Sequence, residues 1–262
     1  MTSGTTPLPR TAVVTGAAGG IGAAIAARLV AEGVRVLLAD RDRAVEETAR
    51  ALGGNASSYV GDCATETGVE LLLFEADEVL GEVDLFCANA GVEGGRGLES
   101  SEADWATALE VNVLAHVRAA QALVPRWVER GHGRFVVTAS AAGLLTMLGS
   151  APYSVTKHGA VAFAEWLRAT YAHKGIVVQA ICPQGVRTRM LDDSGPLREL
   201  LSRDRALEPS EVADRLWEAL QDDRFLVLPH PEVADYYVAR ATDPDRWLAG
   251  MNRLQRKLEE TR

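Results

Sequence analysis

The segment Gly16-Ala-Ala-Gly19-Gly20-Ile21-Gly22 limits the fold more than any other stretch of the chain. It follows the short apolar run Thr11-Ala-Val-Val-Thr15 and leads into a helical pattern of small residues, Ala23 to Glu32, which Gly33 stops. Glycines at a strand-to-helix junction let the backbone turn tightly and be approached closely. The first N–H groups of the following helix, and its dipole, then suit an anionic phosphate. A second apolar run, Val34 to Ala39, ends at Asp40, eighteen residues past the last glycine. Strand, glycine turn, helix, strand and acid is the order of a dinucleotide-binding unit. Gly16, Gly20, Ile21 and Gly22 are therefore expected at a pyrophosphate, and Asp40 at the adenosine ribose hydroxyls. A carboxylate there repels a 2′-phosphate, which favours NAD over NADP, although the adjacent Arg41 could still meet such a phosphate. Alternatively, Asp40 caps the next helix.

The alternation continues along the chain. The patterns predict helix Arg41–Leu52 before strand Ser57–Val60, and helix Glu66–Leu80 before strand Val83–Cys87. One long helix, Glu102–Arg130, leads to strand Phe135–Ala139, and helix Tyr153–His173 to strand Val177–Cys182. Helix Ser210–Leu220 and strand Phe225–Leu228 follow, and the tail ends in a helix from Asp243 to Glu260 with an apolar stripe at Trp247, Leu248, Met251, Leu254 and Leu258. Such alternation predicts an α/β fold, a doubly wound parallel sheet of about seven strands with helices on both faces. A single domain over 1–262 is expected, with a core at 10–190, a lid over the active site at 185–207 and a carboxyl-terminal extension at 229–262.

Bulk properties narrow the function classes. A net charge of −9 argues against nucleic-acid binding, and no apolar stretch approaches the length of a membrane span. No secretory signal is read at the amino end, so a cytoplasmic protein is expected. Cys63, Cys87 and Cys182 are widely spaced and read as free thiols, and the five histidines lack ligand spacing, so no metal is assigned.

The chemistry is expected around Ser140 to Lys157. Tyr153 and Lys157 lie four residues apart and share one face of a helix. Ser140 closes the apolar run that precedes them, at the carboxyl end of a buried strand. A phenol with an ordinary pKa near ~10 is a poor base at neutral pH. A neighbouring ammonium, together with a cationic nicotinamide, lowers that pKa. A serine hydroxyl can hold a substrate oxygen near the phenol.

These motifs closely resemble the short-chain dehydrogenase/reductase family over roughly residues 11–190. Thr15-Gly-Ala-Ala-Gly-Gly-Ile-Gly22 resembles its glycine turn, and Asn89-Ala90-Gly91 the turn that stabilises the central sheet beside the cofactor. The resemblance implies that Asp62 and Cys63 contact the adenine. It further implies that Asn112, Ser140, Tyr153 and Lys157 form the catalytic set, with Lys157 also reaching the nicotinamide ribose and Asn112 holding a water that links the lysine to solvent. Pro183, Val186 and Thr188 would hold the nicotinamide carboxamide. This chain reads Pro183-Gln184-Gly185 where the family commonly has Pro-Gly, which makes Gln184 a candidate substrate contact. Trp105 and Trp166 sit on helices that associate in family members, which implies a dimer or tetramer.

The expected activity is interconversion of a secondary alcohol and a ketone with NAD. Apolar candidates Leu145, Met147, Met190 and Leu191 suggest a moderately hydrophobic or cyclic substrate, steroid- or terpenoid-like. The competing readings are a catalytically silent nucleotide-binding protein, an NADP-dependent ketoreductase, and a dehydratase or epimerase.

Overall fold

The structure is a computed structural model, and it describes residues 6–193 and 205–260. Seven parallel strands form one sheet in the order β3-β2-β1-β4-β5-β6-β7: β1 (Thr11–Thr15), β2 (Arg35–Asp40), β3 (Ala56–Val60), β4 (Leu85–Ala88), β5 (Gly133–Thr138), β6 (Ile176–Ile181) and β7 (Leu226–Val227). The strands are short apolar runs because helices cover both faces. Every residue of β1, β4, β5 and β6 is buried. Neighbouring side chains point to opposite faces. Val13 joins a core with Leu72, Trp127, Phe135 and Leu167, whereas Val14 joins one with Ile25, Leu29, Val212 and Leu216. Helices α3 (Glu66–Leu80), α5 (Ala115–Arg130) and α6 (Ala151–Tyr171) cover the first face; α1 (Gly20–Ala31) and α8 (Pro209–Asp222) cover the second. The strand order reverses between β1 and β4, which opens a crevice at their carboxyl ends, the place where such sheets bind ligands.

The long helix expected over Glu102–Arg130 runs without a break but is not α-helical throughout. It consists of α4 (Glu102–Leu109), a single π turn at Glu110–Leu114 and α5. The tail also differs. A helix α9 (Glu232–Thr242) precedes α10 (Pro244–Glu260), and Asp243 breaks the path between them. Proline disfavours helical backbone in the residue before it, so Asp243 is extended rather than the first helical residue. Pro231 is compatible with a helix start, which is why α9 forms despite the prolines around it. The other α-helices among the described residues are α2 (Ala44–Leu52) and the short α7 (Arg189–Asp192).

Of the expected lid, residues 194–204 lie outside the described residues. Its ends are anchored to each other by a parallel bridge between Val186 and Leu207, with the Arg187 N–H donating to the Leu207 carbonyl at 2.8 Å. Among the described residues, no helix is long and apolar enough to cross a membrane.

Candidate active site

The glycine turn owes its shape to backbone angles and close contacts that a side chain would not tolerate. Gly16 and Gly20 adopt positive φ of 66° and 56°. A Cβ on Gly16 would lie 2.8 Å from the Ala90 Cα, and one on Gly22 only 2.2 Å from the Gly16 carbonyl oxygen. A Cβ on Gly19, by contrast, would meet nothing within 4 Å, because Gly19 faces the open cleft at the start of α1. This bare helix end fits a pyrophosphate, and the adjoining polar rim fits a ribose, so the site suits a nicotinamide dinucleotide.

Asp40 ends β2 beside the turn. Its carboxylate accepts the Ala18 N–H and the Asp42 N–H, each at 3.0 Å, so it braces the glycine turn as well as the start of the next segment. Arg41 is exposed next to it. At the end of β3, Asp62 accepts the Ala64 N–H at 2.9 Å and the Thr65 hydroxyl at 2.7 Å. Burial raises the Asp62 pKa, but those hydrogen bonds and the Arg41 charge outweigh it and hold the carboxyl below its ordinary value. Burial, with Asp40 and Asp62 nearby, pushes the Cys63 thiol up to about 12, so it is a neutral wall group. These four residues form a rim beyond the main cleft.

Asn89 ties the crevice together. Its side-chain amide donates to the Thr15 carbonyl at 2.9 Å and the Gly16 carbonyl at 3.2 Å, and its N–H and that of Ala90 donate to the Thr15 hydroxyl. The absence of a side chain at Gly91 leaves room for the Lys157 ammonium and the Asn112 amide oxygen, each 3.3 Å from where a Cβ would stand. Asn112 is fully buried in the π turn. Its Oδ1 accepts the Val92 N–H at 2.9 Å, and its Nδ2 donates to the Val92 carbonyl at 2.8 Å and the Thr156 hydroxyl at 3.0 Å. The side chain is thus committed to joining the loop after Gly91 to α6.

Ser140, Tyr153 and Lys157 line one wall of the same cleft. Ser140 follows β5, and its hydroxyl accepts the Ala142 N–H at 3.1 Å and donates to the Pro183 carbonyl at 3.4 Å. Ser150 caps α6 by accepting the Tyr153 N–H, which fixes where the tyrosine leaves the loop. The Lys157 ammonium is buried, donates to the Thr138 carbonyl at 2.9 Å and lies 5.5 Å from the centre of the Tyr153 ring. Burial pulls Lys157 down to about 8. Burial likewise pushes the Tyr153 phenol up to about 12; the Ser140 hydroxyl counteracts this, and the Glu93 carboxylate adds to it. The protein's own groups therefore favour a neutral phenol.

Pro183, Val186 and Thr188 also line the cleft, with Pro183 held against the start of this wall by the Ser140 hydroxyl and the Ala141 N–H. The Thr188 methyl carbon lies 3.2 Å from where a Gly20 Cβ would stand, so this segment overhangs the start of α1. Gln184 lines the cleft, and its N–H donates to His230 at 3.1 Å. The cleft has a volume of about 1220 Å³. Leu145, Met147, Met190 and Leu191 line it as expected from the sequence. Val238 of α9 and Trp247, Met251 and Leu254 of α10 complete the apolar wall. The Trp247 indole N–H donates to the Thr146 hydroxyl at 3.0 Å, and the Arg240 guanidinium to the Leu144 carbonyl at 2.6 Å. The apolar stripe of α10 was visible in the sequence, but not the surface it faces.

The family model described as short chain dehydrogenase matches residues 10–198. A 1-deoxy-11-beta-hydroxypentalenate dehydrogenase of Streptomyces exfoliatus is 38% identical over 233 residues, covering 85% of this chain and 84% of the relative. Among solved structures, a short chain dehydrogenase/reductase from Burkholderia phymatum in complex with NAD matches with a TM-score of 0.82 and 28% identity, over 90% of this chain and 94% of that one. An actinorhodin polyketide ketoreductase with NADPH matches with a TM-score of 0.76 and 30% identity, over 84% and 95%.

Proposed function

Because the chain belongs to the short-chain dehydrogenase family, oxidoreductases that bind nicotinamide cofactors, we propose that it interconverts a secondary alcohol and a ketone with NAD(H). The observation that carries this reading is the meeting of Ser140, Tyr153 and Lys157 in one cleft with the bare start of α1. When bound, the nicotinamide accepts or supplies the hydride. Tyr153 takes the hydroxyl proton during oxidation and returns it during reduction. Ser140 holds the substrate oxygen beside the phenol, and Lys157 offsets negative charge on it. Burial, with Glu93 nearby, pushes the phenol up to about 12, and a bound oxidised nicotinamide would supply a positive charge that favours the phenolate. Asn112 acts as a positioning residue that keeps the Gly91 loop clear of the lysine.

NAD is preferred on the strength of the Asp40 carboxylate at the end of β2. The structural relatives include complexes with NAD and with NADPH, so the preference rests on this residue. The apolar wall suits a hydrophobic or cyclic alcohol, and a relative named for dehydrogenation of a hydroxypentalenate supports oxidation at a hydroxyl group. Val186, Thr188, Met190 and Leu191, in the described start of the expected lid, line the cleft. Leu109, Leu114, Val155 and Trp166 are exposed on α4, the π turn and α6, a face suited to a homo-oligomer. Sedimentation velocity of wild type and Trp166→Glu tests this: the variant is expected to sediment as a smaller species, and a monomeric wild type refutes it.

The activity itself is tested with purified protein, NAD or NADP and a panel of cyclic and open-chain secondary alcohols, following absorbance of the reduced nicotinamide. Tyr153→Phe is expected to lose about 10³-fold in turnover while still binding NAD in calorimetry. Full activity in that variant overturns the assigned role of Tyr153.

A further inference from the structure

One face of α10 points into the cleft with two kinds of side chain. Trp247, Met251 and Leu254 form an apolar stripe, and Arg246, Gly250, Arg253 and Lys257 form a second stripe beside it at the same helical spacing. The acids of this helix, Asp245, Glu259 and Glu260, do not line the cleft. Gly250 leaves a gap in the basic stripe. A Cβ there would stand 3.7 Å from a terminal nitrogen of Arg253, so that guanidinium folds back over Gly250 towards the turn that carries Arg246. Neither arginine has an ion-pair partner among the described residues. Asp243 lines the cleft nearby, but its carboxylate accepts the backbone N–H of Arg246 at 3.0 Å. Asp235 lines it from α9. The reacting end carries both signs: the Glu93 carboxylate acts on the Tyr153 phenol, with Arg96 acting on Glu93 and the Lys157 ammonium 5.5 Å from the phenol ring.

We propose that Arg246 and Arg253 form a subsite for an anionic oxygen group on the substrate, a carboxylate set away from the reacting carbon and joined to it by an apolar body lying on Trp247 and Met251. This rests on the oxidoreductase reading for the identity of the reacting carbon, but not for the subsite itself. Guanidinium groups suit carboxylate and phosphate alike through paired N–H donors. Attraction by Arg246 and Arg253 orients such a substrate with its neutral end towards Tyr153.

The test measures binding by calorimetry to the full chain in the presence of NADH, using two matched pairs. One pair is 3-oxocyclohexanecarboxylate and its methyl ester; the other is acetoacetyl-coenzyme A and the uncharged acetoacetyl-N-acetylcysteamine, which separates a carboxylate on the substrate from phosphates on a carrier arm. Wild type is expected to bind the carboxylate at least about tenfold more tightly than its ester, with Arg246→Gln and Arg253→Gln together abolishing the preference. Arg256→Gln, on a residue outside the cleft, is expected to keep it. A preference confined to the coenzyme A pair and lost in the double variant reassigns the anion to a carrier phosphate and overturns the carboxylate. Equal binding within both pairs, or a preference that survives the double variant, overturns the subsite. Turnover is followed separately: a charge preference without any turnover refutes the oxidoreductase reading and leaves the subsite standing.

Discussion

His116 lies one helical turn beyond Asn112, is 2% exposed, and neither ring nitrogen has a hydrogen-bond partner among the described residues. Burial, and secondarily the Lys157 charge, pull its pKa down to about 3 from 6.5. The sign of the resulting stability effect follows from proton counts. Between pH 6.5 and about 3 the unfolded chain carries a proton on this histidine that the folded chain does not, so stability falls as pH falls through that window and is fully present above it. His116→Leu is therefore expected to flatten the dependence of urea midpoint on pH between 6.5 and 3; an unchanged slope assigns the acid sensitivity elsewhere. The sequence displayed His116 only as one of several histidines without ligand spacing. Its burial depends on the register of the π turn, which residue types alone do not encode. The catalytic set was more legible, because Tyr153 and Lys157 are neighbours on one helix and Ser140 ends one strand, whereas the titration of these groups depends on surrounding atoms that only the folded chain supplies.

Between elements, the approach of the loop after β5 to α6 sets the distance from Ser140 to Lys157. Gly143 makes it possible: a Cβ there would lie 2.5 Å from the Lys157 carbonyl oxygen and 2.9 Å from a Val161 methyl. Gly143→Ala must push this turn away from α6 and carry Ser140 with it. It is expected to destabilise the fold by about 2 kcal/mol, the usual scale for an overpacked site, and to lower kcat while leaving NAD affinity close to wild type. Calorimetric melting and steady-state kinetics check this, and a variant with wild-type kcat contradicts it. The glycine turn, six of the seven strands and the helices between them were legible at this scale because periodicity and turn chemistry are local signals. At β7 the expected strand Phe225–Leu228 shrinks to Leu226–Val227 at the sheet edge. The π turn at Glu110–Leu114 was not legible, since one widened turn scarcely changes the apolar spacing of a long helix. Helix α9 was not among the expected elements; it starts directly after Pro231.

Across the whole molecule, the parts that hold the cofactor and the parts that face the substrate differ in how firmly they are anchored. The sheet core is closed on both faces, and even its charged members are paired: Arg134, 2% exposed, binds Asp223 at 2.7 Å and two carbonyls of the amino-terminal segment. Helix α10 has no fully buried residue and reaches the core side of the cleft through the Trp247–Thr146 hydrogen bond and its contact with α9. Weakly buried elements open locally at lower free energy than the core, and substrate-facing elements are commonly drawn from them. Trp247→Ala removes both the indole hydrogen bond and part of the apolar wall. Hydrogen exchange over residues 244–260 is expected to accelerate at least about tenfold, with KM for a hydrophobic alcohol raised and the melting temperature of the sheet core within a few degrees of wild type. Loss of global stability with α10 still protected would mean that the carboxyl-terminal helices belong to the core. The opposite result places them as a separately opening wall, whose amphipathic face is readable in the sequence but whose partner, the loop from Ala141 to Gly149, is supplied by the distant end of β5.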